Sequence, residues 1–351
     1  MQETDDIKFM RRCLELASKA EGLTYPNPIV GSVIVYDGKI LGEGYHLRSG
    51  ESHAEVNAIN SVLDKTKLKL STLYVNLEPC SHYGKTPPCV DLIIASGIQK
   101  VVVGTNDTSE KVAGKGILRL MEAGCDVRTG VLDEDCRRLN RRFFTFHEKK
   151  RPYITLKWAQ SADGYLDIIR SESHTTEPNW ITGKPERVLV HKWRAAEQAI
   201  LVGAGTVRAD NPRLNVREWK GNDPVKLVLS SSGSFKKGLF LNITDSKTIV
   251  FTHNSGEDIP RVVMVVLRED VVSSVQICDY LYSCGIQSLF IEGGAKVLNH
   301  FISTGVWDEA RIFTGKASFR EGVKAPLIKG VPFSKTEFSG SSLEIYLKDG
   351  S

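Results

Sequence analysis

Apolar and polar positions along the first 125 residues follow two distinct periods. In "TDDIKFMRRCLELASKA", Ile7, Met10, Leu14 and Ala17 recur every three to four positions behind Thr4 as an N-cap and acids in the first turn. That spacing predicts an amphipathic helix. "IVGSVIVYDGKILGEGY" is two apolar runs joined by Asp37-Gly38, a dipeptide suited to a tight hairpin. A helix from about His53, a strand at 72–77, a helix stopped by Gly97, a strand at 100–105 and a helix stopped by Gly124 follow. Strand and helix in alternation predict a three-layer α/β sandwich whose sheet is largely parallel.

Around "FHEKKRPY", 146–153, the apolar pattern lapses into charge and a proline, and a new strand opens at "YITLKWA". The boundary is placed there, between 1–148 and 149–351. Further strands are expected in "AILVGAG", "VKLVLS", "KTIVFT", "RVVMVVL" and "SLFIEGG", with helices near 184–198, 273–284 and 294–304. The second half is therefore α/β as well, without internal repeats. A chain of 351 residues, 41% hydrophobic, is long enough for two domains with proper cores.

Charge narrows the partners. The formal balance of +4 is small and dispersed, which argues only weakly for a polyanionic partner, and no nucleic acid is expected. The densest basic stretch, "RRLNRRFF" at 137–144, reads as a solvated helix face. No apolar run is long enough to span a membrane, and the acidic, polar start does not resemble a secretory leader, so a cytoplasmic protein is expected. In that compartment seven cysteines, an odd set, do not read as a disulfide framework. Cys13, Cys125, Cys136, Cys278 and Cys284 stand alone as small hydrophobes or neutral fillers. Cys80 and Cys89, in "EPCSHYGKTPPC", do not stand alone.

Twenty-seven residues before Cys80 lies "HAEVNAI", in which His53 and Glu55 open a helix. One imidazole and two thiolates form the soft three-ligand set of a tetrahedral zinc site whose fourth position stays open to water. Zinc in such a site brings water close to ionisation at neutral pH, and Glu55, beside a ligand without being one, is placed to shuttle protons. His53 and Cys80 are expected at helix N-termini, where the dipole favours a thiolate. H-x-E with P-C-x-x-C marks the zinc nucleobase deaminases. Here the cysteine pair is wider, so the loop must bulge before it returns to the metal. A closed, structural zinc would need a fourth protein ligand, and His82 inside the loop is the residue available for it.

The string "PCSHYGKTPPC", with "HAE" before it and "PNPIVGSVIV" near the start, closely resembles the deaminase half of the bifunctional riboflavin-biosynthesis deaminase/reductases. The wide cysteine spacing sets that family apart from other cytidine deaminase-like enzymes. "WITGKPERVLVHKWRAAEQAILVGAGTVRADNPRL" and "FIEGGAKVLNHFISTGVWDE" resemble its reductase half. The resemblance implies a cytidine deaminase-like three-layer sandwich followed by a dihydrofolate reductase-like α/β domain. It implies zinc-dependent deamination of 2,5-diamino-6-ribosylamino-4(3H)-pyrimidinone 5′-phosphate, then NADPH reduction of the product's ribosyl group to ribityl. It also implies roles for Asn27 and His46 at the pyrimidine and for Lys85 near the ribose phosphate. On residue type alone these three read as a turn, a strand end and a solvated surface.

No G-x-G-x-x-G fingerprint marks a dinucleotide site, and the resembled reductases bind NADPH without one. "SLFIEGGAKVLNHF" nonetheless reads as a strand, two glycines and a helix whose first amides could cradle a pyrophosphate, although such a turn needs glycine anyway. By resemblance, cofactor positions are Lys157, Ala159, Ser161, Asp163, Trp180, Thr206, Asp210 and the run Gly294, Ala295, Lys296, Val297, Leu298, Asn299 and His300. Substrate positions are Arg194, Leu214, Arg217 and Glu292, the planar forks of the arginines suiting a 5′-phosphate. The chain departs from the family at "SADG", in a longer stretch between Asp163 and Trp180, at Pro178, which replaces a serine and offers neither hydroxyl nor amide proton, and at Asn211. Small-molecule substrates and a homo-oligomer, dimer or tetramer, are expected. Two other functions remain compatible with the residues: a deaminase with a degenerate second half, and a nucleic-acid-binding protein with a structural zinc.

Overall fold

The computed structural model describes residues 5–83, 87–108, 114–169, 179–233, 247–254 and 260–348. Thr4, Lys85 and Pro178 lie outside them. The chain divides into two compact units, Met1–Lys150 and Arg151–Ser351.

In the first unit α1 (Asp5–Ser18) precedes the hairpin β1 (Gly31–Tyr36) and β2 (Lys39–Tyr45), then α2 (Ala54–Ser61), β3 (Thr72–Leu77), α3 (Cys89–Ala95), β4 (Lys100–Thr105), α4 (Lys115–Glu122), β5 (Asp126–Thr129), α5 (Asp133–Leu139) and α6 (Arg141–Lys149). The sheet order is β2-β1-β3-β4-β5. Successive residues of a strand point to opposite faces, and the core divides accordingly. Ile34, Leu73, Val75, Val101 and Val103 pack with Ala58, Ile59, Val90, Ile93 and Leu120 from α2, α3 and α4. Val33, Val35, Tyr74 and Val102 pack with Phe9, Met10, Cys13, Leu16 and Cys136 from α1 and α5. This is the expected three-layer sandwich, with one correction. Two of the four strand pairings, β1 with β2 and β1 with β3, are antiparallel, because the hairpin at Asp37-Gly38 turns the chain back. Only β3, β4 and β5 run parallel.

The basic stretch is corrected too. Arg142 is only 5% exposed and pairs with Glu21 at 3.1 Å, while Phe143 and Phe144 are buried. Next to them Asn140 holds the segment leading into β1. Its Oδ1 accepts the Ile29 N–H at 2.7 Å and its Nδ2 donates to the Ile29 carbonyl at 2.9 Å. Asn76 of β3 donates to the same carbonyl and accepts from Gly31 N. Asn140→Ala would leave both groups of Ile29 with fewer partners in a buried setting, and is expected to destabilise the first unit by about 3 kcal/mol, read as a lowered urea midpoint.

In the second unit β6 (Tyr153–Gln160), β7 (Tyr165–Asp167), α7 (Lys184–Ala196), β8 (Ala199–Gly203), α8 (Ala204–Asp210), β9 (Val225–Ser230), β10 (Thr248–Thr252), β11 (Val262–Val266), α9 (Ser273–Ser283), β12 (Ser288–Gly293), α10 (Ala295–Ser303), β13 (Glu309–Gly315), β14 (Val323–Lys324), β15 (Ser334–Glu337) and β16 (Ser341–Leu347) follow one another. The main sheet runs β11-β10-β9-β8-β12-β6-β13-β16-β15, parallel from β11 to β13 and closed by two antiparallel strands. One face carries α9 and α10, the other α7 and α8. Lys157 and Ala159 lie on β6 and Glu292 on β12, while Gly294 and the start of α10 follow the end of β12. Among the described residues no helix is long and apolar enough to cross a membrane.

Candidate active sites

His53 is the residue before α2, with extended backbone, and Cys89 is the first residue of α3. Cys80 lies in the loop after β3, so the cysteine at a helix start is Cys89, not Cys80. Cys80 still benefits from that helix, since its Sγ accepts the Cys89 N–H at 3.3 Å. His53 Nδ1 stands 3.5 Å from Cys80 Sγ and 3.3 Å from Cys89 Sγ. Zinc bonds of about 2.0–2.1 Å to nitrogen and about 2.3 Å to sulfur, at tetrahedral angles, separate donors by roughly 3.5–3.8 Å. The donor set thus fits one zinc ion. His82 is exposed and does not join it, so among the described residues the site has three protein ligands.

Charge points the same way. The Cys80 thiol is drawn down to about 4 by the hydrogen bond from Cys89, then by those from His53 and the Cys89 amide, against the opposing effect of burial. Cys89 is pushed up because it donates to Cys80 and is buried. A divalent cation would replace that shared proton and ionise both. Glu55, 3% exposed, is raised to about 7, first by burial and then by the charge of Cys80. A carboxyl that gains and loses a proton near neutrality beside a metal suits proton transfer.

Asn27 and His46 also meet here. His46 Nδ1 lies 3.1 Å from the Ser52 carbonyl, which can only accept, so Nδ1 carries the proton. Its Nε2 therefore accepts from Asn27 Nδ2 at 3.1 Å. Asn27 is left with Oδ1 to offer to an N–H of a ligand.

Glu78 was not singled out from the sequence, although it directly precedes Pro79-Cys80. Its carboxylate accepts the N–H groups of Asp107, Gly114, Gly116 and Ile117. A methyl group on Gly116 would overlap the Pro79 carbonyl. Gly116→Ala should push the Cys80 loop off the metal and lower zinc affinity tenfold to a hundredfold, on the order of other perturbations behind a ligand. Competition with a chromophoric chelator measures this.

In the second unit Arg194 of α7 grips Glu292 of β12 with two hydrogen bonds, at 2.8 and 2.6 Å, and donates to the Asn215 carbonyl at 3.1 Å. Burial would raise the Glu292 pKa, but Arg194 and then Lys157 overcome it and hold the carboxyl ionised. Half-buried Lys157 is lowered by burial, with Glu292 opposing. Leu214 has a buried side chain, 2% exposed, and a left-handed backbone at φ 51°, so any ligand contact falls to its main chain. Arg217 is exposed.

Gly294, at φ 74°, precedes α10, and a side chain there would press on Thr206 Oγ1. The amides of Ala295, Lys296 and Val297 open the helix without intrahelical partners. Val297 and Leu298 are buried in the core, so this run offers backbone, and the space a glycine leaves suits a pyrophosphate. The His300 ring points elsewhere, Nε2 accepting from Ser274 N at 3.2 Å. Ser161 and Asp163 hold a turn: Asp163 accepts from Ser161 Oγ, Phe319 N and Arg320 N. Asp210 ends α8 and Asn211 follows at φ 39°, a conformation asparagine tolerates well. Trp180 is 57% exposed beneath the Arg187 guanidinium. Ala159 is half-buried on β6.

Comparison with known proteins adds the remaining observations. The family described as cytidine and deoxycytidylate deaminase zinc-binding region matches residues 3–105, and the family described as RibD C-terminal domain matches residues 152–342. Riboflavin biosynthesis protein RibD of Aquifex aeolicus is 40% identical over 324 residues, covering 91% of this chain and 89% of that protein. The protein of the same name from Bacillus amyloliquefaciens is 38% identical, covering 93% and 88%. A diaminohydroxyphosphoribosylaminopyrimidine deaminase/5-amino-6-(5-phosphoribosylamino)uracil reductase of known structure, from Thermotoga maritima, is 38% identical with a TM-score of 0.85, covering 97% of this chain and 98% of that one.

Proposed function

From the premise that the chain belongs to the RibD family of bifunctional riboflavin-biosynthesis deaminase/reductases, we propose that residues 1–148 deaminate the diaminopyrimidine ribotide at His53, Cys80 and Cys89, and that residues 149–351 reduce the product with NADPH. The protein is a zinc- and NADPH-dependent enzyme of riboflavin biosynthesis. The observation that carries the site assignment is the pair of 3.5 and 3.3 Å separations from His53 Nδ1 to the two sulfurs, with Glu55 buried beside them.

When bound, zinc supplies Lewis-acid chemistry that makes water nucleophilic near neutral pH. Glu55 would take the proton that the attacking water gives up and deliver it to the ring nitrogen, then take the remaining proton of that oxygen as the carbonyl forms and deliver it to the amine, which leaves as ammonia. Asn27 Oδ1, aimed by His46, accepts from an N–H on the pyrimidine. The role of Lys85, outside the described residues, at the ribose phosphate rests on the family resemblance alone.

In the second unit the first amides of α10, with Thr206 beside Gly294, hold the NADPH pyrophosphate, and Ala159, Ser161, Asp163, Trp180 and Asp210 border the cofactor. NADPH, when bound, supplies the hydride. Arg194 and Glu292 fix each other, and Arg217 offers its exposed guanidinium to the 5′-phosphate. Lys157, half-buried beside Glu292, offers its ammonium to the oxygen that becomes charged as C1′ opens. All seven cysteines are free of disulfides, in keeping with a reducing setting, and the reading extends to a cytoplasmic homo-oligomer acting on small molecules. Ammonia release from the diaminopyrimidine ribotide, followed by NADPH oxidation, tests both assignments. Ammonia without NADPH oxidation would leave the second unit non-catalytic.

A further inference from the structure

α7 carries a second side chain directed at the segment that bears Arg217. His191, one turn before Arg194 and on the same face of the helix, is 3% exposed. Its Nδ1 lies 3.2 Å from the backbone nitrogen of Arg217. A backbone N–H can only donate, so Nδ1 accepts, and the neutral ring carries its proton on Nε2. The segment 214–217 is then held at successive points. The Leu214 side chain is in the core, the Asn215 carbonyl is on Arg194, the Val216 N–H is on Asp223 at 2.7 Å, and the Arg217 N–H is on His191. The Arg217 guanidinium itself makes only a 3.4 Å contact to Asn215 Oδ1 and a 4.0 Å approach to Glu218 among the described residues. The backbone therefore sets the point and the Cα–Cβ direction from which it reaches. Burial, then Arg194 and Arg217, lower the His191 pKa against Glu218 and Glu292, which keeps the ring in the accepting form.

We propose that His191 is a positioning residue for the substrate's 5′-phosphate: by holding the Arg217 amide, it aims the Arg217 guanidinium at the anion. The proposal rests on the assignment of Arg217 to that phosphate, and Arg217→Ala tests the assignment separately. Asparagine Oδ1 occupies the place of histidine Nδ1, whereas glutamine Oε1 reaches to the place of Nε2. The rescue pattern therefore distinguishes an acceptor at one atom from mere bulk.

The experiment is steady-state reduction of the deaminated ribotide by the full-length variants, with inhibition by inorganic phosphate as a second probe. His191→Ala and His191→Gln should raise KM for the ribotide and the phosphate inhibition constant about tenfold. They should leave kcat and the KM for NADPH within about threefold, and His191→Asn should stay within about threefold of wild type throughout. Thermal melting of the Asn and Gln variants shows whether both are folded. Should Ala fail to fold, the Asn against Gln contrast carries the test. Asn performing no better than Gln, or kcat and both KM values moving together, overturns the proposal. A normal ribotide KM in Arg217→Ala would instead remove the phosphate assignment on which it stands.

Discussion

Glu55→Gln is expected to lower deaminase turnover about a thousandfold or more while the chain retains its zinc. The amide has nearly the same shape, so the buried pocket and the three ligands should survive. What disappears is a group able to take a proton from water and pass it on. The carboxyl is suited to that work because burial, and then the Cys80 charge, raise it above the ordinary carboxylate range. Reduction of externally supplied deaminated ribotide should continue at the wild-type rate. Rapid quantification of released ammonia, with zinc measured by atomic absorption on the same sample, checks both halves. A fully active Glu55→Gln enzyme would transfer the proton relay to another residue.

The second large effect is expected at Arg194. Arg194→Leu leaves the Glu292 carboxylate buried without its guanidinium, and removing one partner of such a pair costs about 3–5 kcal/mol. The second unit should unfold at markedly lower urea, and reduction should be lost while ammonia release persists. The double variant Arg194→Leu with Glu292→Leu removes both charges of the pair, so part of the stability should return, the remainder being withheld because Lys157 loses its carboxylate neighbour. Reduction should not return, since the contacts to the ribotide are gone. Stability and NADPH oxidation, measured on the same three proteins, separate the structural role of the pair from its role at the substrate. Restored turnover in the double variant would exclude Arg194 and Glu292 from the site.

The strands with long apolar runs were legible in the sequence, and so was the grouping of His53, Cys80 and Cys89, because donor chemistry and motif order point to it without a fold. The parts that were not legible had local sequences that concealed their environment. β13 carries Glu309 and Arg311 in a buried strand, where they neutralise each other at 2.6 Å, with Tyr153 donating to Glu309 and Trp193 beneath Arg311. Charges at alternate positions mask burial unless the partners are known. β5, "DVRT", and β15, "SKTE", are short and polar and show no alternation. The helix start falls at Cys89 rather than Cys80, and the described residues between the two cysteines, 81–83 and 87–88, are not helical. Glu78 and His191 act on backbone amides distant in sequence, Gly116 and Arg217, and no spacing rule brings such partners together. The hairpin was visible at Asp37-Gly38, yet its consequence, an antiparallel edge on an otherwise parallel sheet, depends on β1 pairing with β3.

The most direct test of the zinc centre is anomalous diffraction at the zinc edge from crystals of the purified enzyme. One ion per chain is predicted, held by His53 Nδ1, Cys80 Sγ and Cys89 Sγ, with a solvent molecule completing the tetrahedron. An ion closed by a fourth side chain such as His82, or no anomalous peak between those three residues in protein purified with zinc present, would contradict it.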